Sequence, residues 1–381
     1  MTITRRDFTQ SMLGSVAAIS LPSAPALART NDAYYVSAQG ELDDADGGLV
    51  AMNARSGQWF KIAVPFRGHD VIEHPKRPGH VLMFARRPGF YVQEFDLNTR
   101  QRTKGFRLKG DRQGFGHGVF SADGAVLLTA EGVISTGRGL IVVRDALSYD
   151  VLAEWSSGGV GPHEVVCMPN SDLLAVANGG LRTHPRSGRE VLNLETMRSN
   201  LSYLDTRTGE LVALVESPHP RASIRHIDVS DDGTVAIATQ FQRLPGEQTA
   251  NIPLAALHRA GGDIEVLDAP TTVLAALNDY MGSVCVDSKS QLAGFTSPRG
   301  NLAIFWNLKT GELIGHHSLR DVCGITLLPN SSKFVLTNST GELRVLDHHH
   351  AHNKPQQRLK VSGLHWDNHL NTVFLERGIS A

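Results

Sequence analysis

The feature that most constrains the fold of this chain is a turn that recurs along its length. Seven apolar runs each end in Asp or Asn and then enter a turn, and these turns lie 39 to 63 residues apart. The turn residues are Asn53, Asp96, Asp145, Asp205, Asp268, Asn307 and Asp347. Asp and Asn favour such turns because the side-chain oxygen accepts a hydrogen bond from a backbone amide two residues on. The spacing predicts one supersecondary unit repeated about every 45 residues.

A second repeat predicts that each unit contains four strands. A strand, a turn and another strand precede the recurring turn, as in "VFSADGAVLLTA" and "IDVSDDGTVAIAT". Only residues 252–260, "IPLAALHRA", have a short helical pattern. Seven all-β units of this size predict a seven-bladed β-propeller. A two-sheet sandwich with the same number of strands does not explain seven equivalent turns.

The two ends of the mature chain are predicted to share one blade. The N-terminal segment offers three strands, "YYVSAQ", "GLVAMN" and "QWFKIAV", and residues 369–375, "HLNTVFL", can supply the missing innermost strand. This pairing closes the ring and leaves no open sheet edge at the seam.

The first 28 residues resemble a twin-arginine export signal. Arg5 and Arg6 precede Phe8, an apolar segment covers residues 12–21, and an A-x-A pattern ends at Ala28. We expect cleavage near Ala28, which gives a periplasmic propeller over residues 29–381. The apolar segment is too short to span a bilayer permanently.

Charge and cysteine content narrow the function. The chain has 37 Lys and Arg against 38 Asp and Glu, so no overall electrostatic field favours binding to nucleic acid. We also expect the protein to be a monomer. Cys167, Cys285 and Cys323 form no disulfide framework, although one bridge remains open. The unusual feature is 17 histidines, because imidazole titrates near neutral pH and is the commonest metal ligand.

Several of these histidines share one position in the repeat. Six residues before the first turn of a blade stand His69, His117, His163, His226 and Cys323, whereas the sixth blade has Gly282 there and the closing blade offers His369 or His365. The first strand of each blade borders the central channel, so these side chains are expected to face one another at one mouth. Imidazole and thiolate are the usual ligands of zinc, copper and iron. We therefore predict a metal site formed by His69, His117, His163, His226, His369 and Cys323.

Charged neighbours of this position are candidates for supporting roles. Carboxylates that could orient the imidazole rings are Asp70, Asp228, Asp321 and Asp367. Arg67, Arg225 and Glu164 are candidates for binding a substrate. A separate run, "DHHHAHNKP", could collect metal through His348, His349, His350 and His352. Each histidine taken alone is also compatible with a structural role, in which its ring bonds a neighbouring blade.

The segments "RGHD", "GHGVFS", "GPHE", "IRHIDVS" and "HWDNH", together with the leader, resemble the bacterial family known as domain of unknown function 1513. This resemblance covers the mature chain and implies a YVTN-repeat or quinoprotein amine dehydrogenase-like propeller. It also implies partners in periplasmic iron acquisition, namely imelysin-type proteins and a dihaem oxidoreductase. It implies no reaction.

The leading hypothesis is a periplasmic metal-binding accessory protein of iron or copper acquisition. The first alternative is an enzyme at the same mouth, either a redox enzyme or a lactonase-like hydrolase, because "IRHIDVSDDG" is similar to a lactonase motif. In the hydrolase, His163, Glu164, Arg225 and His226 would act on the substrate. The second alternative is a protein-binding scaffold whose histidines are structural.

Overall fold

The computed structural model describes residues 32–39, 47–188, 190–347 and 355–375. The predicted leader over residues 1–28 lies outside these ranges. So do His348, His349, His350 and His352. Among the described residues, no helix is long and apolar enough to cross a membrane.

The described chain forms seven antiparallel sheets of four strands, which confirms the predicted seven-bladed β-propeller. The first three blades, given from the inner to the outer strand, are blade 1 with β28 (Asn371–Leu375), β1 (Asp32–Gln39), β2 (Gly48–Asn53) and β3 (Trp59–Ala63); blade 2 with β4 (Gly68–Glu73), β5 (His80–Ala85), β6 (Tyr91–Asp96) and β7 (Gln101–Arg107); and blade 3 with β8 (Arg112–Phe120), β9 (Val126–Val133), β10 (Arg138–Asp145) and β11 (Val151–Val160).

The other four blades follow in chain order. They are blade 4 with β12 (Pro162–Cys167), β13 (Leu173–Asn178), β14 (Asn200–Asp205) and β15 (Leu211–Glu216); blade 5 with β16 (Ala222–Val229), β17 (Val235–Phe241), β18 (Ala255–His258) and β19 (Glu265–Leu267); blade 6 with β20 (Ser283–Asp287), β21 (Leu292–Ser297), β22 (Leu302–Asn307) and β23 (Leu313–Ser318); and blade 7 with β24 (Val322–Leu327), β25 (Lys333–Asn338), β26 (Glu342–Asp347) and β27 (Gln357–Lys360).

The inner strands close into a ring. Contacts run from β28 to β4, β8, β12, β16, β20, β24 and back to β28. Strand β28 pairs antiparallel with β1, where Asn371 lies opposite Val36 and Leu375 lies opposite Asp32. This pairing confirms the predicted closure of blade 1 by the two ends of the chain.

Blade 5 departs from the sequence prediction. Asp268 follows the outer strand β19, so the turn that is equivalent to the other six lies after His258, at the end of β18. The helical turn predicted for residues 252–260 is also wrong, because Ala255–His258 is a buried strand between β17 and β19. Among the described residues, the helices are α1 (Thr271–Ala276), between β19 and β20, and a short 3-10 turn at Pro185–Ser187.

The hydrophobic core lies between the faces of neighbouring blades. One cluster joins blades 5 and 6 through Leu257, Phe295 and Trp306, and another joins blades 4 and 5 through Leu201 and Ile237. Apolar side chains fill the space between sheets because each sheet must cover both faces. Polar residues therefore occupy the starts of the inner strands, where they border the axis.

Candidate metal centre

Five histidine rings come together at one end of the central axis. They are His69, His117, His163, His226 and His369, carried by the inner parts of five different blades and each no more than 5% exposed. Their neighbouring ring centroids lie 4.6 to 5.6 Å apart, for example 4.7 Å between His117 and His163. We call these five residues the imidazole cluster.

Irregular strand pairing directs most of these side chains. The register of β4 with β5 shifts between Gly68 and Val71, which leaves His69 and Asp70 outside the regular ladder. Comparable shifts release His117 in β8, the pair His163 and Glu164 in β12, Arg225 in β16 and Cys323 in β24. A β-bulge bends the strand locally and re-aims a side chain, and bulges are enriched beside active sites. The inner strands of blades 1 and 6 pair regularly with their neighbours.

Gly116 is required for the close approach of blades 2 and 3. Its φ of +99° is unfavourable for residues with a side chain, and a Cβ placed there would lie 2.5 Å from Cδ2 of His69. Gly116 therefore allows His69 to pack edge-on against His117, with ring centroids 4.8 Å apart.

Carboxylates and a hydroxyl face three of the rings at Nδ1. His226 Nδ1 lies 3.2 Å from Oε2 of Glu164, and His117 Nδ1 lies 3.4 Å from Oδ2 of Asp70. His369 Nδ1 lies 3.4 Å from Ser283 Oγ. A carboxylate on Nδ1 fixes the tautomer and leaves Nε2 as the ligand atom, which is the arrangement around metal-binding histidines.

Four buried ring nitrogens of the cluster have neither a hydrogen-bond partner nor an ion-pair partner within the described chain. They are His69 Nδ1, His117 Nε2, His163 Nδ1 and His369 Nε2. A buried polar atom without a partner costs about 1–3 kcal/mol, so native proteins contain few of them. An ion or an ordered water is the usual partner of such an atom.

The ring nitrogens are close enough to share metal ions. In each of three groups the candidate ligand atoms lie within 4.8 Å of one another: His69 with His117 and His369, His117 with His163 and His226, and Glu164 with His226 and His369. The groups overlap through His117, His226 and His369, so they form one continuous site. All three contain imidazole nitrogens, which suit zinc, copper, iron and nickel.

Burial favours the neutral, metal-binding form of four cluster histidines, His69, His163, His226 and His369. Desolvation, followed by the charge of neighbouring histidines, holds the pKa of His69 well below its ordinary value. Desolvation and the Arg225 guanidinium lower the pKa of His163 in the same direction, and desolvation lowers the pKa of His369 to about 3. Neutral imidazoles need not release a proton before they bind a metal at neutral pH.

The two carboxylates beside the cluster have pKa values that shift in opposite directions. Burial opposes ionisation of Asp70, yet the hydrogen bond and charge of His117 bring its pKa to about 2. Burial raises the pKa of Glu164, and its Oε2 accepts a 2.9 Å hydrogen bond from the Ile227 amide in addition to facing His226. Glu164, predicted to bind substrate, thus orients a ring and joins blade 4 to blade 5.

Cys323 is not part of the imidazole cluster. Its Sγ lies 3.7 Å from the Thr337 carbonyl oxygen and 3.6 Å from the Trp366 carbonyl oxygen, within the apolar cluster that includes Leu370. Burial raises the thiol pKa well above its ordinary value, which disfavours the thiolate that a metal requires. The bulge in β24 therefore buries the side chain between blades 7 and 1. Cys167, Cys285 and Cys323 are all free thiols.

Three predicted carboxylates contact no ring of the cluster. Asp228 accepts hydrogen bonds from the amides of Val229 and Val286 and so joins blade 5 to blade 6. Asp367 forms a 3.0 Å salt bridge with Arg67, which is not among the residues that border the cavity at the cluster. Asp321 accepts a hydrogen bond from Ser339.

A basic cavity of about 210 Å³ opens above the cluster. His69, His163 and His226 border it, and its rim carries four guanidinium groups, from Arg86, Arg87, Arg225 and Arg299. Of these four arginines, the sequence analysis predicts only Arg225 at the mouth. Arg86, Arg87 and Arg299 were missed, although they follow second strands of blades 2 and 6 (β5 and β21), whose ends lie at the same mouth as the starts of the inner strands.

The fold and the cluster define a seven-bladed propeller with an axial, histidine-rich candidate metal site. The chain belongs to the family described as "protein of unknown function (DUF1513)", whose model matches residues 62–373. This result confirms the predicted family. Comparison with curated proteins finds no match.

Among solved structures, hydrazine synthase from Kuenenia stuttgartiensis is similar in fold. The match has a TM-score of 0.60 and 15% sequence identity, and it covers 78% of this chain and 89% of that chain. In all, 1331 chains of solved structures match, so the likeness describes a widespread fold and carries no function with it.

Proposed function

We propose that the protein binds a transition-metal ion, iron or copper, through the imidazole cluster and serves as a periplasmic accessory protein of metal acquisition. The observation that carries the proposal is the packing of five buried imidazoles, with four ring nitrogens that have neither a hydrogen-bond nor an ion-pair partner in the described chain. A bound ion would use those nitrogens, whereas in its absence their desolvation is uncompensated.

The donor set favours a borderline metal over a soft or a hard one. All five candidate ligands are imidazoles, with the Glu164 carboxylate beside them and the Cys323 thiol elsewhere. Calcium and magnesium prefer oxygen ligands, and a purely soft site would contain thiolates. Iron and copper both accept imidazole with a carboxylate neighbour, which agrees with the proposal.

The setting of the proposal comes from the sequence. The leader that resembles a twin-arginine signal supports export to the periplasm, and the family resemblance supports imelysin-type proteins and a dihaem oxidoreductase as partners. These components would receive or deliver the metal ion. Neither the location nor the partners are needed for the cluster to bind metal.

The two alternatives receive less support from the geometry. A lactonase-like hydrolase needs Glu164 at the substrate, but this side chain is not among the residues that border the cavity, and the Ile227 amide and His226 hold it. A scaffold with structural histidines would use both ring nitrogens for contacts within the protein. His74 has that arrangement, because its Nε2 contacts the Ala146 carbonyl oxygen of blade 3 and its Nδ1 accepts a hydrogen bond from the Lys76 amide, whereas Nε2 of His117 and of His369 has no partner in the described chain.

The proposal is tested by measuring the metal content of protein exported by its own host. We expect iron or copper at one or more ions per chain, and we expect loss of that metal in His117→Ala and His163→Ala. A matched control replaces His348, His349, His350 and His352 with alanine, which should leave the content unchanged. Metal-free protein, together with titrations that the two cluster variants do not alter, would contradict the proposal.

The same preparations separate the alternatives. An enzyme would turn over a small lactone or reduce an added acceptor, and Arg225→Gln would abolish turnover while the metal content stays constant. A scaffold would lose thermal stability in the cluster variants and show no change in ligand binding.

A further inference from the structure

The donors of the imidazole cluster divide into groups of three. A ligating imidazole nitrogen lies about 2.0–2.1 Å from its ion, so two donors of one ion are at most about 4.2 Å apart. Within 4.8 Å of one another lie the donors of a first group, His69, His117 and His369, and of a second group, His117, His163 and His226. Among the described residues, no group that meets this limit has a fourth member or joins His163 to His69. Each group is therefore close to the size of one coordination sphere, and the whole cluster is larger.

One ion does not serve all four histidines that have an unpartnered nitrogen. An ion in the first group leaves out His163, whose Nδ1 has no partner. An ion in the second group leaves out His69 and His369, whose Nδ1 and Nε2 have none. Either way, buried polar atoms stay uncompensated, which native proteins rarely tolerate. Two ions, one in each group, reach every one of these histidines.

Contacts behind the rings oppose a rearrangement around one central ion. His117 and His226 each face a carboxylate at Nδ1, and His369 Nδ1 lies 3.4 Å from the Ser283 hydroxyl. All five rings of the cluster are no more than 5% exposed. A side chain in a close-packed interior turns only when its neighbours also move. The donors therefore stay divided between the two groups.

Each group has a carboxylate beside it. Asp70 Oδ2 lies 3.4 Å from His117 Nδ1 in the first group, and Glu164 Oε2 lies 3.2 Å from His226 Nδ1 in the second. A buried cation needs a nearby negative charge, and a carboxylate behind a ligating histidine supplies it. Glu164 is also within ligand range of His226 and His369, so its carboxylate can complete a coordination sphere. The carboxylates are thus placed for two cations.

We infer that the imidazole cluster holds two transition-metal ions side by side, the first at His69, His117 and His369 and the second at His163 and His226, with His117 within reach of both. This inference rests on the proposed metal site and specifies how many ions it holds. Because the two groups share His117, we expect the ions to lie as close as the roughly 3.5–4 Å of other two-metal sites.

The test counts copper in exported protein that has been loaded with excess copper(II) sulfate and then desalted. The protein carries alanine in place of His348, His349, His350 and His352, so that this run contributes no copper. We expect two copper ions per chain. His69→Ala and His163→Ala should each keep one ion, because each substitution removes a donor from only one of the two groups.

Electron paramagnetic resonance adds a readout that a loss of stability does not reproduce. Two copper(II) ions at this separation couple their unpaired spins, so the integrated signal of the two-copper protein should fall well below its copper content. In His69→Ala and in His163→Ala the remaining ion is isolated. The integrated signal of each variant should therefore equal its copper content.

His74→Ala is the matched control, since His74 is a buried histidine of blade 2 whose two ring nitrogens both have partners. It should keep both ions. One copper ion per chain in protein with an intact cluster, a full signal from two ions, or two ions retained in His69→Ala would overturn the inference. Loss of all copper from both cluster variants would also overturn it. Protein that binds no copper contradicts the proposed metal site itself, so the two failures are distinguishable.

Discussion

An imidazole that is buried without a hydrogen-bond partner is unfavourable at the scale of a single residue. Each such nitrogen costs about 1–3 kcal/mol, and the cluster contains four that lack both a hydrogen bond and an ion-pair contact. Phe or Leu at the same positions would avoid this cost and would fill similar space. The choice of histidine at five axial positions is thus best explained by a ligand that uses its nitrogens.

Glu164 provides the sharpest test at this scale. Replacing it with Gln keeps an oxygen for the Ile227 amide but removes the negative charge that faces His226. We expect metal affinity to fall roughly 10- to 100-fold, as for other carboxylates that orient a ligating histidine. Competition with a chromogenic chelator measures the affinity.

Asp228→Asn is the control for that substitution. Asp228 is also a carboxylate that joins two blades, through the Val286 amide, but it contacts no ring of the cluster. Its substitution should leave metal affinity unchanged. Equal losses in the two variants would show that the effect of Glu164 passes through blade packing and not through the ring.

The sequence was sufficient to find four axial histidines but not the direction of every side chain. A count of six residues before a turn locates His69, His117, His163 and His226, because blades repeat the same hairpin. The same count locates Cys323, whose thiol is instead buried with Trp366. The direction of a side chain at this position depends on the bulge of its inner strand and on the packing of the next blade. Neither feature can be recognised in the local amino-acid sequence.

At the scale of elements, the bulges in the inner strands direct histidine side chains towards the axis and so form the candidate metal site. Regular pairing alternates side chains between the two faces of a blade, which would send successive residues into the cores between blades. The register shifts in blades 2, 3 and 4 interrupt that alternation where the histidines stand. The bulged residues do not keep the two-residue period of a regular strand, so the hydrophobic pattern of a single strand does not predict them.

Gly116→Ala tests the role of the bulge in β8. A Cβ there would collide with the His69 ring, and the φ of +99° would be strained in alanine. We expect a loss of about 1–3 kcal/mol in the free energy of unfolding together with weaker metal binding. Thermal and denaturant unfolding measure the first, and metal titration measures the second.

Gly261→Ala serves as the control for strain alone. Gly261 has a φ of +78°, and nothing lies within 4 Å of a Cβ placed on it. This variant should lose stability and keep its metal affinity. Retention of full affinity in Gly116→Ala would contradict the claim that the close approach of β8 to His69 shapes the site.

At the scale of the whole molecule, the repeat and the closure were predictable, whereas the cavity rim was not. Strand order and the pairing of β28 with β1 follow from a pattern that recurs seven times. The rim comes from turns of different length in each blade, such as those carrying Arg87 and Arg299. Such turns have no common pattern, and only the folded ring brings them together.

The metal-free molecule should lose stability on acidification. The histidines with lowered pKa are His69, His74, His163, His226, His258, His317 and His369. Unfolding restores their ordinary pKa of about 6.5, so the unfolded chain binds more protons below that pH. Their contribution to the free energy of unfolding is complete above pH 6.5. It is lost progressively as the pH falls towards their pKa values in the folded protein, which are about 4 for His317 and about 3 for His369.

Raised carboxyl pKa values act in the opposite direction. Burial raises the pKa of Asp228 to about 7 and also raises the pKa of Glu164 and Glu73, so these groups favour the folded state as the pH falls. Seven histidines outnumber three carboxyls, and the net stability should decline between about pH 6.5 and 4.5. Melting temperatures across this range measure the decline, which should be shallower in His163→Ala. A melting temperature that rises on acidification would contradict the prediction that the buried histidines dominate the pH dependence of stability.

The most direct test of the central claim is anomalous X-ray diffraction from crystals of the metal-loaded protein, recorded at the absorption edges of iron and copper. The account predicts a peak inside the imidazole cluster, about 2.0–2.1 Å from imidazole nitrogens that include one of His117 or His226. An empty cluster in fully loaded protein, or a peak confined to the run of histidines at 348–352, would contradict it.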